Sequence, residues 1–225
     1  MAEGLSTSNT TCFISDVKGD LSGIASHFPV EFWDLKEGTG HQIQTILQDL
    51  GPLLFSRLLD LNKVQTGIVT LAFKVMKDQF PDNPIITLGD FKVILKLLGD
   101  NAYSYTKEYG NITYTSIGAI QRGILELEEQ GVDDFFNLPK FEIEDLFSQP
   151  NIINVLNSST IINQPKLYST FLLWLLSELY EKLPEVGDLK SPKFVFFFDE
   201  AHLLFLDCPK ILLSKIETII KLIRS

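Results

Sequence analysis

Cysteine, histidine and basic residues are all scarce in this chain, and each shortage removes a class of function. The two cysteines, Cys12 and Cys208, have no metal-ligand spacing, and the three histidines, His27, His41 and His202, include no pair at helical separation. That leaves neither a zinc site nor a disulfide framework; the thiols read as reduced and structural, as in a cytoplasmic protein. Only 19 lysines and arginines stand against 29 acids, a formal charge of −10. A chain that grips nucleic acid through its own surface needs the opposite balance. No apolar run reaches bilayer length, the nearest being Phe171 to Leu176, and Met1-Ala-Glu-Gly4 lacks the basic start and apolar core of a signal peptide. There is no G-x-S-x-G elbow for serine hydrolase chemistry. G-x-x-x-x-G-K-[ST] is absent too: Glu37-Gly-Thr-Gly-His41 has glycines but no Lys-Ser/Thr ending.

What is present is a globular composition, 45% hydrophobic over 225 residues, enough for one core or one core with an inserted subdomain. The most informative stretch is Lys193-Phe-Val-Phe-Phe-Phe-Asp-Glu-Ala-His202. A short, continuous apolar run reads as a strand buried on both faces of a parallel sheet, here a central one. Asp199 and Glu200 follow at its carboxyl end, where open α/β sheets place their ligands. One reading is a Walker B pair, Asp199 holding the water shell of Mg²⁺ and Glu200 orienting the attacking water. The other is that both acids merely favour the start of a following helix.

Thr11-Cys-Phe-Ile-Ser-Asp16 reads as a second buried strand, with Gly19 permitting the turn after it. The charged cluster Asp16-Val-Lys18-Gly-Asp20 lines the same crevice as Asp199 or is an ordinary polar turn; charge and glycine content leave both open. Pro29 to Asp34 alternates as an edge or half-buried strand does. Between about residues 41 and 148 helical spacing takes over, in Gln42 to Leu50, Pro52 to Leu61, Lys63 to Lys77, Leu88 to Leu98 and Ser116 to Gln130, with Gly131 closing the last. That block reads as a helical subdomain, residues 41–148, inserted between core segments 1–40 and 149–225. Its acids Glu126, Glu128 and Glu129 read as a solvated face, and Arg122 as a surface arginine. Asn151 to Leu156 returns to strand chemistry, Pro165 opens a helix to Leu183, and a closing helix runs to Arg224. Strand, helix, strand, helix is the alternation of a parallel sheet. His202 reads as a structural histidine at a helix entrance or as a contact for a γ-phosphate.

Five blocks occur in order: Asp16 to Gly23, Thr115 to Arg122, Pro165 to Tyr180, Leu183 to Asp188 and Phe196 to Phe205. In these the chain resembles the HerA-like helicase carboxyl-terminal family, the YjgR-type ATPases of the HerA/FtsK group. The resemblance implies an α/β, RecA-type P-loop core with a parallel sheet and an inserted helical subdomain. It implies Mg·ATP as the bound nucleotide and a homo-oligomeric ring, a hexamer, acting on DNA. It assigns Asp199 as the Walker B aspartate binding Mg²⁺ and Glu200 as the catalytic glutamate; Asp16 and Lys18 are candidate nucleotide contacts from the charged cluster after the first strand, not from the resemblance. It also implies that the phosphate loop precedes Ala2 and that a sensor strand follows Arg224. The core expected of this chain is therefore incomplete, inactive alone, and open along the edge of Phe194 to Phe198. The alternatives are a non-enzymatic module joining intact subunits, or an unrelated Mg²⁺ hydrolase using Asp16, Asp20, Asp199 and Glu200.

Overall fold

The computed structural model describes residues 1–19, 21–36, 38, 40–159, 161, 163–182, 192, 194–198, 202 and 217. The chain divides into two compact units, residues 1–43 with 140–225, and residues 44–139.

The first unit is built on a sheet of β1 (Thr11–Asp16), β2 (Val30–Asp34), β3 (His41–Gln42), β4 (Ile153–Asn157) and β5 (Phe194–Phe197), in the order β3-β2-β4-β1-β5. Every pairing is parallel, so the class is α/β, as the strand and helix alternation indicated. β1 occupies the residues expected of it. β5 is not the central strand that its apolar run suggested: among the described residues it stands at the edge expected of Phe194 to Phe198 from the resemblance, paired only with β1, and its side chains are half-buried. A run of phenylalanines records affinity for apolar surroundings, not the number of neighbours. The place at the centre belongs to β4, whose Ile153, Asn154, Val155 and Leu156 are all buried.

Alternation sends side chains to the two faces of the sheet. On one, Cys12, Ile153 and Val155 form a core with Ala2 of α1 (Ala2–Thr7), and Ile14, Ile24, Phe28, Val195 and Phe197 pack around it. On the other, Phe196 stacks on Phe13 at 4.8 Å and on Phe198 at 4.2 Å. There the hydroxyl of buried Ser15 bonds that of Tyr168 on α8 (Pro165–Lys182), which is buried continuously from Leu167 to Ser177. A buried amide lies in this layer as well. Asn154 accepts from the Trp33 indole N–H at 2.8 Å and donates to the carbonyls of Cys12, at 3.2 Å, and Leu146, at 2.8 Å. It ties β2 and β1 to α7 (Asp145–Ser148), and its amide is satisfied on both sides.

The second unit is one continuous segment of helices: α2 (Leu47–Leu58), α3 (Lys63–Gln79), α4 (Leu88–Asp100), α5 (Ala102–Tyr109) and α6 (Tyr114–Glu129). Capping boxes start α3, through Asn62 and Gln65, and α4, through Thr87 and Asp90. Phe55 and Phe91 meet edge to face at 5.0 Å in the core, with Phe73 against both. Gly131 closes α6 in the left-handed region, φ +66°, with its N–H on the Glu128 carbonyl. The two helices expected on either side of Gly51 are both present within α2, meeting at a kink where Gly51 leaves helical geometry at φ +76°. Two expectations change. The helix expected from Gln42 begins only at Leu47, because His41 and Gln42 pair with β2 instead. α5 carried no sequence signal, since Tyr, Ser and Thr give it no apolar stripe; Asn101 and Gly110 bound it.

Candidate functional site

In a parallel sheet the carboxyl ends of the strands share one edge, so the residues that end β1, β2 and β4 share it too. β1 ends in Asp16, only 5% exposed. Its two carboxylate oxygens accept the backbone N–H groups of Gly19, at 2.8 Å, and Leu21, at 3.0 Å, and its carbonyl accepts from Ser158 N–H at 2.9 Å. Gly19 holds φ +72°, the left-handed conformation expected of this turn. Asp16 thus draws the chain into a tight turn, and Lys18 is exposed in that turn. Asn157, in register with Asp16, accepts from the Ser159 hydroxyl at 2.6 Å.

β2 ends in Asp34, 3% exposed, which accepts the Gly40 N–H at 2.8 Å. A Cβ on Gly38 would fall 2.4 Å from that carboxylate, and one on Gly40 would fall 2.5 Å from the Phe32 carbonyl oxygen. The glycines of the segment rejected as a phosphate loop are therefore required for another purpose: they bring main chain up against the protein's own anion. Sequence reasoning passed over Asp34 and Asn157 as site residues. The signal was present, because each of these three strands closes on Asp or Asn.

Asp199 and Glu200 lie outside the described residues. β5 leads up to them: Phe197 pairs with Ile14, two residues before Asp16, as Phe197 is two residues before Asp199 in the sequence. His202 is exposed in a 3-10 turn. The remaining charged candidates are on the second unit, where Arg122, Glu126 and Glu129 are exposed on α6 and Glu128 pairs with Lys92 at 2.6 Å. His41 pairs with Glu31 at 2.9 Å on the surface.

The described part of this edge is anionic and already engaged by backbone donors. Among the described residues no group of three or more His, Cys, Asp or Glu could hold a metal ion, and the sequence offers no phosphate loop. These residues do not by themselves fit a magnesium nucleotide. Cys12 is no nucleophile either: burial raises its thiol pKa, outweighing the lowering by the amino-terminal charge. Among the described residues no helix is long and apolar enough to cross a membrane.

Two solved structures of the coupling protein TrwB resemble the fold at low similarity. The unbound bacterial conjugative coupling protein aligns with a TM-score of 0.41 and 9% identity, covering 86% of this chain and 56% of its own. The plasmid coupling protein in complex with the non-hydrolysable GTP analogue GDPNP gives 0.40 and 9%, covering 90% and 58%. The chain thus spans somewhat more than half the length of either. No curated protein sequence matches it. The family model described as Helicase HerA-like C-terminal matches residues 25–225, nearly the whole chain, and so this protein belongs to the HerA-like helicase carboxyl-terminal family.

Proposed function

We propose that this chain is the acid-bearing part of a HerA-like P-loop ATPase, which in complete form couples ATP turnover to movement on DNA. The observation that carries the reading is the family match over residues 25–225, together with Asp-Glu directly following an apolar strand of a parallel sheet. Asp199 is assigned to Mg²⁺ and Glu200 to the attacking water, on the general rule that ligands sit beyond the carboxyl ends of such strands. Lys18, exposed in the turn after β1, is assigned to the nucleotide side of the same crevice, and Asp16 to that crevice as the residue holding the turn. The complete protein is a cytoplasmic homo-oligomeric ring, a hexamer, that meets DNA as an assembly.

Alone, the chain neither binds Mg·ATP tightly nor hydrolyses it. Phosphates surrender hydration only to a set of backbone N–H donors and a helix amino-terminus. The N–H groups of Gly19, Leu21 and Gly40 are spent on the chain's own carboxylates. Calorimetric titration of the isolated chain with Mg·ATP is expected to show no saturable binding in the micromolar range; such binding would refute this. Supplying the Gly-Lys-Ser/Thr segment of a full-length family member is expected to restore turnover that Glu200→Gln abolishes. Turnover indifferent to Glu200→Gln would remove the assignment of that acid.

The missing phosphate-loop motif also supports a second reading, a subunit that joins intact relatives without catalysing. Co-purification with a full-length relative, at unchanged ATP turnover, would favour it.

A further inference from the structure

The helical unit closes on itself where the chain enters and leaves it. Thr45 and Phe136 form a parallel bridge: the Thr45 N–H donates to the Phe135 carbonyl at 3.0 Å, and the Asn137 N–H donates to the Thr45 carbonyl at 3.1 Å. The Gln44 side-chain amide adds a third bond, to the Asp134 carbonyl at 3.0 Å. Thr45 and Phe136 are both buried, so this clasp is shielded from water at the two residues that form it.

The start of the unit is also completed from within. α2 has no side-chain cap, and its first N–H groups, those of Leu47 and Gln48, donate instead to the carbonyls of Ile86 and Ile85, each at 2.9 Å. The Gln48 side chain returns the bond, accepting from the Ile85 N–H at 3.1 Å. α6 is capped by Thr113, whose hydroxyl accepts the Ser116 N–H at 3.2 Å. Phe136, in the exit segment, meets Phe55 edge to face at 6.3 Å and so joins the aromatic core. Caps, clasp and core thus all come from residues 44–139, a length at which domains fold by themselves.

Two conditions for unfolding alone are met together. The unit supplies its own caps and core, and its two ends are held side by side. Melting it therefore leaves the first unit with a longer loop between residues 43 and 140 and no broken strand, and the entropy cost of closing a loop rises only with the logarithm of its length. We propose that residues 44–139 open and close as a cooperative unit of their own, a conformational device by which the helices melt and reform while the sheet, with Asp16 and Asp34 at its edge, stays folded. Opening of this kind needs no nucleotide and stands apart from the roles assigned to Asp199 and Glu200.

Amide hydrogen exchange on the intact chain, read residue by residue, tests this. The Thr45 and Asn137 amides are expected to be protected to within about threefold of the middle of α3, because the clasp opens only with the unit. Phe91→Ala is expected to speed exchange in α2, α3 and α4 by at least about a hundredfold. Ile120→Val, a smaller cut in the same unit, is expected to speed it by about fivefold. In both variants the amides of β1 and β4 are expected to stay within about threefold of the parent. Sheet amides that speed up in step with the helices, or a Phe91→Ala chain that loses its sheet along with its helices, would overturn the proposal. So would clasp amides that exchange like those of an exposed loop while α3 stays protected.

Discussion

Replacing Asp16 by alanine separates two roles for a buried carboxylate at the rim of the sheet. Its oxygens receive two backbone N–H groups, those of Gly19 and Leu21. Hydrogen bonds to a charged acceptor contribute about 1.5 to 3 kcal/mol each. Gly19 is exposed, so water takes over its N–H at little cost; Leu21 is half-buried and loses more. The expected destabilisation is therefore about 2 to 4 kcal/mol, a large share of the roughly 5 to 15 kcal/mol that holds a domain together. Asp16→Asn keeps one acceptor oxygen and should lose about half as much. Lys18→Ala, at an exposed position in the same turn, should stay within about 0.5 kcal/mol of the parent. Urea unfolding measures the totals, and amide hydrogen exchange locates them: Gly19 and Leu21 should lose protection by at least about tenfold, the equivalent of 1.4 kcal/mol. If Asp16→Ala unfolds within about 0.5 kcal/mol of the parent and both amides exchange as before, the carboxylate is not what holds the turn, and the account of Asp16 given above is wrong.

Two further outcomes follow from the packing and from the buried thiol. Phe91→Ala removes a fully buried ring from between Phe55 and Phe73; a loss of about 3 to 5 kcal/mol is expected in chemical denaturation, and a loss under about 1 kcal/mol would mean that the aromatic cluster is not the core of the helical unit. Cys12 has its thiol pKa raised by burial, against a smaller lowering by the amino-terminal charge, so the native state favours the protonated form. The unfolded chain ionises this thiol first, so its contribution to stability is intact below about pH 9 and declines as pH rises from there toward the native pKa. Cys12→Ser is expected to flatten that alkaline decline, and reaction of native Cys12 with a thiol reagent to be slow until the sheet opens; prompt native-state labelling would contradict its burial.

The residues themselves announced the strands and the better helices, because those follow from local chemistry. Thr11 to Asp16 is apolar enough to be buried over most of its length and turns at a glycine, and it forms β1 over those same residues. Pro165 has no N–H to lose at the start of a helix, and α8 begins there. Asn62 and Thr87 cap helices that their apolar spacing already indicated. The acidic pair after the aromatic run was equally plain in the sequence.

Pairing was not legible, because hydrogen bonds between strands join segments far apart in the chain. Five phenylalanine and valine residues in a row fit an edge as well as a centre, and only the fold put β4 in the middle and β5 at the side among the described residues. The same holds for the carboxylates. On paper Asp16 was either crevice lining or part of a polar turn, and Asp34 only the end of a strand; the register of β1, β2 and β4 set them at one end of the sheet, and backbone donors claimed them there. Sequence alone determined the alternation of strands and helices that makes a parallel α/β protein, since local order suffices for that, and its five ordered blocks already resembled the HerA-like family. Which atoms those carboxylates serve was decided by tertiary structure, because a hydrogen bond depends on distances that no single stretch of chain sets for itself.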